Sequence, residues 1–195
     1  PAPVPYLRAD PVRMDRWRQR LAAWPGFQVG IAWQGNPRHT RDRDRSFPLA
    51  LFERLARIEG VRLISLQKGY GSEQLRELGD RFPVVDLGDE VDPGLETMED
   101  TPALMMSLDL VITPDTSLAH LAGALGVPIW IPLPRSPDWR WFLERDESPW
   151  YPTARLFRQT ARSQWGPVFD RIAAALEHRI ASAAAAAPAQ VSGRV

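Results

Sequence analysis

The stretch Asp115-Thr116-Ser117-Leu118-Ala119-His120-Leu121-Ala122-Gly123-Ala124-Leu125-Gly126-Val127-Pro128, set between the apolar segments Leu108-Asp109-Leu110-Val111-Ile112 and Ile129-Trp130-Ile131, leaves few folds open to this chain. It reads as strand, tight polar turn, small-residue helix, glycine stop and strand. The turn brings a carboxylate, two hydroxyls and free backbone N–H groups to a helix start, which is a ready anion site. The Ala and Gly residues let the helix lie close against a sheet. An α/β domain holds a phosphate-bearing ligand in this way, at the carboxyl ends of its strands.

Strands and helices alternate along the rest of the chain as well. Asp10 can cap a helix with Pro11 at its first position, in which Trp17 and Leu21 recur at helical spacing. Val29-Gly30-Ile31-Ala32-Trp33 is a first strand, broken by Gly35-Asn36-Pro37, which opens a charged loop through Arg45. A helix from Pro48 carries Leu51, Phe52 and Leu55 on one face, and Val61 to Leu66 form a second strand. Leu75 and Leu78 mark a helix, Val84-Val85-Asp86-Leu87 a short strand, Gly88 to Gly94 an acidic loop, and Met98 to Leu108 a helix. Beyond Ile131 come a proline-and-aromatic loop, a strand near Ala154 to Phe157 and a helix from about Gly166 to Ile180. Buried apolar strands alternating with helices predict a parallel, doubly wound α/β sheet of about six strands. The loops after Trp33, Leu66, Ile112 and Ile131 then open on one side, above the carboxyl ends.

Composition narrows the function. Lys and Arg total 24, as do Asp and Glu, so nothing favours a nucleic acid or a membrane surface as partner. Cysteine is absent, which excludes a disulfide framework and any Cys-based metal or redox site. No apolar run is long enough to span a bilayer and no signal peptide is visible. The chain starts at Pro1 and is read as a piece of a longer protein, with 1–27 a linker and leading helix, 28–182 the domain proper and 183–195 a disordered tail.

Each candidate residue has a functional and a structural reading. Thr116 and Ser117 can hold a diphosphate with His120 one turn on, or Asp115 or Thr116 can simply cap the helix. A helix start contributes only about 0.3–1 kcal/mol to an anion, so cationic partners are needed. The loop Arg38-His39-Thr40-Arg41-Asp42-Arg43-Asp44-Arg45-Ser46 can supply them, unless its Arg and Asp residues neutralise one another in solvent. Lys68 can meet phosphate and Gln67 a base or sugar edge, or both form an ordinary strand exit. Gly35 stands alone, so neither a P-loop nor a dinucleotide fingerprint is present. Asp89, Glu90, Asp92, Glu96, Glu99 and Asp100 read as a solvated loop and helix start. His39, His120 and His178 are too scattered for a metal site. Pro137-Asp138-Trp139-Arg140-Trp141 and Ser148-Pro149-Trp150-Tyr151-Pro152 can stack on a base or sugar, or pack as a long loop over the sheet edge.

The run Asp115-Thr116-Ser117-x-x-His120-x-Ala122-x-Ala124-x-Gly126-x-Pro128 resembles the donor-site motif of the ADP-heptose:lipopolysaccharide heptosyltransferases. With Gly30-Ile31-Ala32-Trp33-x-Gly35-Asn36-Pro37, Ser65-Leu66-Gln67-Lys68-Gly69 and the two Trp-rich segments, the chain from Tyr6 to Ile180 resembles the carboxyl-terminal domain of bacterial tetratricopeptide-repeat glycosyltransferase-like proteins. The resemblance implies the second, donor-binding Rossmann-like half of a GT-B fold. It implies a nucleotide-diphosphate sugar as substrate, no cofactor and no metal. Arg45, ahead of Phe47-Pro48, matches the phosphate-contacting basic residue, and the turn contacts fall on Asp115, Thr116, Ser117 and His120. Ser117 stands where the heptosyltransferases carry Gly.

The chemistry so implied is inverting glycosyl transfer. Arg45, Lys68 and the N–H groups near Thr116 would stabilise the departing diphosphate. The general base is expected from an N-terminal Rossmann-like half, with tetratricopeptide repeats upstream and a glycan, lipid or protein acceptor. The expected setting is the bacterial cytoplasm, with peripheral contact to the inner membrane as an option. The alternative is a catalytically inactive nucleotide-sugar-binding or scaffolding module. A dehydrogenase half is disfavoured by the missing glycine fingerprint.

Overall fold

The structure, a computed structural model, describes residues 3–93 and 98–186. Its elements follow one another as α1 (Pro11–Leu21), β1 (Phe27–Ile31), α2 (Asp42–Arg45), α3 (Glu53–Ala56), β2 (Val61–Ser65), α4 (Glu73–Leu78), α5 (Asp100–Met105), β3 (Leu110–Ile112), α6 (Ser117–Leu125), β4 (Ile129–Leu133), β5 (Ala154–Arg158) and α7 (Gly166–Ala186). The sheet order is β2-β1-β3-β4-β5, with every pairing parallel.

The sixth strand expected at Val84 to Leu87 is present as one parallel bridge. Val85 N–H donates to Leu63 O and Ser65 N–H donates to Val85 O, each at 2.8 Å. Pro83 has no N–H to extend the ladder. One residue on, the Asp86 carboxylate accepts from Gly88 N–H at 2.9 Å and turns the chain away. With this segment counted at the edge, the order is the doubly wound 3-2-1-4-5-6, whose switch point lies between β1 and β3.

Both faces of the sheet are covered, which is why its strands are nearly all apolar. On one face α1, α5 and α6 bury Trp17, Leu104, Met105, Ala119 and Ala122 against Ile64, Val111, Ile129 and Ile131. On the other, Phe47, Phe52, Leu55, Phe169 and Ile172 pack on Val29, Ile31, Leu63, Leu110 and Ile112. The small residues of α6 therefore do bring it onto the sheet. Gly126 ends that helix in the left-handed region at φ 74°, with Val127 N–H donating to Ala122 O at 3.0 Å.

Several local elements are shorter than their sequence patterns. The helix expected from Pro48 opens as a 3-10 turn at Leu49–Phe52 before α3. The helix expected over Met98 to Leu108 is α5, starting at Asp100, where the Asp92 carboxylate accepts from Asp100 N–H at 2.6 Å and Thr101 N–H at 3.0 Å. Helix α7 continues to Ala186, and the rest of the expected tail lies outside the described residues.

The leading helix α1 is capped as its sequence predicts, with the Asp10 carboxylate accepting from Val12 and Arg13 N–H. Its Trp17 and Leu21 are buried in the core. It is fastened through Asp100, which accepts from Arg13 at 2.9 Å, Arg16 at 2.5 Å and the Trp17 indole at 3.2 Å. Asp92 and Asp100 are thus buried anchors and not solvated loop charges, and Glu90 pairs with Arg20 at 2.8 Å; Glu96 lies outside the described residues. Burial alone would raise the Asp100 carboxyl, but the hydrogen bonds from Arg13, Trp17 and Arg16 outweigh it and hold it below its ordinary value of 3.8.

A lowered folded-state value contributes stability that is present above the unfolded value and is lost as pH falls through the folded one. Asp100→Ala is expected to cost about 1–3 kcal/mol at neutral pH, because the buried Trp17 N–H loses its acceptor. It should also flatten the fall in stability below about pH 4. Denaturant unfolding of both proteins across that pH range checks both parts.

Candidate functional site

A cavity of about 820 Å³ opens over the carboxyl ends of β1, β2 and β3, at the switch point of the sheet. Arg45, Gln67, Lys68, Asp115, Thr116, Ser117 and His120 all line it. They come from the loop after β1, the loop after β2 and the start of α6. Gln34, Gly35, Asn36, Arg38 and Arg140 share its walls.

The start of α6 is open. Thr116 occupies the cap position but makes no side-chain capping bond; its hydroxyl lies 3.2 Å from that of the buried Thr113. The first backbone bonds of the helix run from Ala119 and His120 N–H to Thr116 O. Among the described residues, the Ser117 and Leu118 N–H groups have no acceptor, and neither does the exposed Ser117 hydroxyl. Capping, the structural reading of this turn, is therefore not what Thr116 does.

Arg45 reaches the site from α2, half-buried, donating to Asp115 O at 2.6 Å and pairing with the buried Asp42 carboxylate at 3.2 Å. The other Asp42 oxygen accepts from Gln34 at 2.6 Å. Gly35 makes this geometry possible, since a Cβ there would sit 2.2 Å from Asp42 Oδ1 and 2.8 Å from the Arg45 guanidinium. The loop charges do neutralise one another in part, but as a buried clamp that positions Arg45.

Lys68 donates to Val91 O and, at 3.0 Å, to Asp92 O, which leaves its third proton for the cavity. Gln67 departs from its sequence-based role. Its Oε1 accepts from Trp33 N–H at 3.1 Å and Gln34 N–H at 3.0 Å, while its Nε2 donates to Gln34 O and Tyr70 O. All four bonding positions of the amide are used, so Gln67 fastens the loop after β2 to the end of β1 and has none left for a base or sugar edge.

His120 is held on three sides. Its Nδ1 lies 3.0 Å from the Tyr151 hydroxyl, its Nε2 3.6 Å from Asp115 Oδ1, and its ring stacks on Trp141 at 5.4 Å. Burial pushes the Tyr151 hydroxyl up to about 12, helped by the Tyr6 phenol. The Asp115 carboxyl moves the other way: burial works to raise it, but contacts with the His120 and Trp141 rings and the charge of Arg140 hold it below its usual range. The Trp141 indole N–H does this without closing a hydrogen bond of normal geometry. Gly123 meets the same cluster, for a Cβ on it would lie 2.4 Å from Tyr151 Cγ.

Residue patterns did not single out Asp42, Arg140, Trp141 or Tyr151 as parts of this site. The signal for the last three was the Trp-rich pair of segments, which divides into two functions. Trp141 and Tyr151 are buried beneath His120, whereas Trp139 is 70% exposed and meets Trp150 edge-on at 6.5 Å. Asp42 carried no signal beyond its place in a charged loop. Among the described residues, no helix is long and apolar enough to cross a membrane.

No protein-family model matches the chain. It is 32% identical over 184 residues to the protein FlbA of Caulobacter vibrioides, a match covering 91% of this chain and 30% of that protein. Its fold is similar to that of Escherichia coli ADP-heptose lps heptosyltransferase II, with a TM-score of 0.67 at 16% identity, covering 94% of this chain and 56% of that one. It is also similar to the glycosyl transferase family 9 structure from Veillonella parvula, with a TM-score of 0.55 at 13% identity over 78% of this chain and 42% of that one. For E. coli heptosyltransferase WaaC with ADP-2-deoxy-2-fluoro heptose the values are 0.54 and 17%, over 92% of this chain and 50% of that one. The chain thus has the α/β fold of one half of a GT-B glycosyltransferase. It spans about half the length of those transferases and less than a third of FlbA.

Proposed function

We propose that this chain is the donor-binding half of an inverting, metal-independent GT-B glycosyltransferase that uses a nucleotide-diphosphate sugar. One observation carries the reading: Ser117 and Leu118, whose N–H groups have no acceptor among the described residues, line the same switch-point cavity as Arg45 and Lys68. Among the described residues, four Lys and Arg side chains line that cavity, and the two carboxylates there are committed within the protein, Asp92 to the start of α5 and Asp115 beside His120. A diphosphate complements this arrangement.

During transfer the anomeric carbon gains oxocarbenium character while the bond to the diphosphate oxygen breaks. Negative charge grows on that oxygen, where the α6 N–H groups and Arg45 would receive it without rearranging. Each charge-assisted hydrogen bond there contributes about 1.5–3 kcal/mol. His120, steadied by Trp141 and Tyr151, would border the sugar side of the diphosphate. The base that deprotonates the acceptor would come from the other half of the GT-B unit.

Calorimetric titration of the intact protein with ADP, UDP, GDP and their sugar conjugates tests the assignment. Saturable binding of one nucleotide, tighter as its sugar conjugate, is expected. Failure of every nucleotide to bind would sink it, and binding without turnover over a panel of acceptors would favour the inactive nucleotide-sugar module.

A further inference from the structure

A second cavity of about 800 Å³ lies where the loops after β1, β4 and β5 meet. Arg41, Arg43, Arg135 and Arg162 line it, and among the described residues Asp44 is the one carboxylate that does so. Its walls are tied together by those same arginines. Arg135 donates to Thr160 O at 2.7 Å, Arg41 donates to Ser136 O, and Arg162 stands 3.5 Å from Asp44. Each uses little of its five-donor fork, and Arg43 lies exposed on the groove.

Gln159 supplies the independent sign of a ligand. It lines this groove, is 5% exposed, and its Nε2 is buried without an acceptor. A buried amide donor without a partner is rare in native proteins, and here it lies in the wall of a groove lined by four arginines. Four guanidinium groups facing one carboxylate make that occupant an oxyanion of more than one charge.

The groove is separate from the nucleotide cavity but adjoins it. A small cavity of about 50 Å³ shares Arg41, Asp44 and Pro134 with the groove, and Arg45, Asp115 and Arg140 with the larger cavity. We infer that the groove of Arg41, Arg43, Arg135, Arg162 and Gln159 binds a phosphate group belonging to a second ligand, one that sits beside the donor. The inference does not depend on the nucleotide reading, because neither Gln159 nor these arginines line the larger cavity.

The test is a calorimetric titration of the intact protein with inorganic phosphate and, separately, with glycerol 3-phosphate, which tells free phosphate from a phosphate ester. Each is repeated in a Ser117→Glu background, where the α6 start is occupied by a carboxylate. Saturable binding is expected in both backgrounds, weakened about tenfold or more in Arg43→Gln/Arg162→Gln. Gln159→Leu, which removes the orphaned donor at similar volume, should weaken it too. The proposal is overturned if neither phosphate saturates, if the double Arg variant titrates like the wild type, or if Ser117→Glu alone removes the isotherm. Tighter binding of polyglutamate than of either phosphate would also overturn it, in favour of an acidic protein partner.

Discussion

Ser117→Glu is expected to weaken nucleotide-diphosphate binding by about 100-fold or more, which corresponds to about 2.7 kcal/mol, without lowering the melting temperature. Ser117 is exposed, is the first residue of α6 and has no side-chain partner among the described residues. A carboxylate at that position suits the helix dipole, worth about 0.3–1 kcal/mol in favour of the fold. It would also stand where the proposed diphosphate would lie, against the Ser117 and Leu118 N–H groups. Folding and binding are therefore driven in opposite directions by one substitution. Calorimetry beside thermal unfolding reads both, and a variant that binds like the wild type would reduce the turn to a plain helix start. Arg45→Ala is a poorer probe, because it also strips the buried Asp42 of its ion pair and Asp115 O of its donor.

The other large effect separates two tryptophans in one short loop. Trp141→Ala should destabilise the protein by about 3–5 kcal/mol, as expected for a buried Trp truncated to Ala. Trp141 is fully buried and carries the stacked His120 ring, so the variant should lose nucleotide affinity under conditions where it remains folded. Trp139→Ala should change stability by no more than about 0.5 kcal/mol, since that ring is mostly in solvent. Denaturant unfolding of both variants decides the matter. Equal losses would mean that the segment packs as a unit and that the division drawn between its two rings is mistaken.

The fold was legible because its signals are local and repeated. Apolar strands alternate with helices, and the sheet they form is parallel with both faces covered. The weakest expected strand, Val84 to Leu87, shrank to one bridge for reasons also local, Pro83 before it and the Asp86 turn after it. The candidate site was legible to the extent that topology dictates it. Loops that follow successive parallel strands open on one side, and the seven candidate residues line one cavity there.

Roles within that cavity were not legible, since they depend on what each polar group meets. Gln67 and Lys68 are neighbours of equal promise in sequence. Yet the amide is filled by the backbone of Trp33, Gln34 and Tyr70, while the ammonium keeps a proton free. Asp100 belongs to an acidic run that reads as solvated, but it is the buried acceptor for two arginines and a tryptophan contributed by α1, far away in sequence. The orphaned amide of Gln159, opposite arginines from three separate loops, has no counterpart in any motif. Periodicity, turn residues and the helix-start motif act over a few neighbours, so the sequence by itself determined the α/β alternation, the helix start after Thr116 and the face on which the candidate site lies. Which donors are spent and which stay free is set by contacts between residues distant along the chain, and only the tertiary structure decided that.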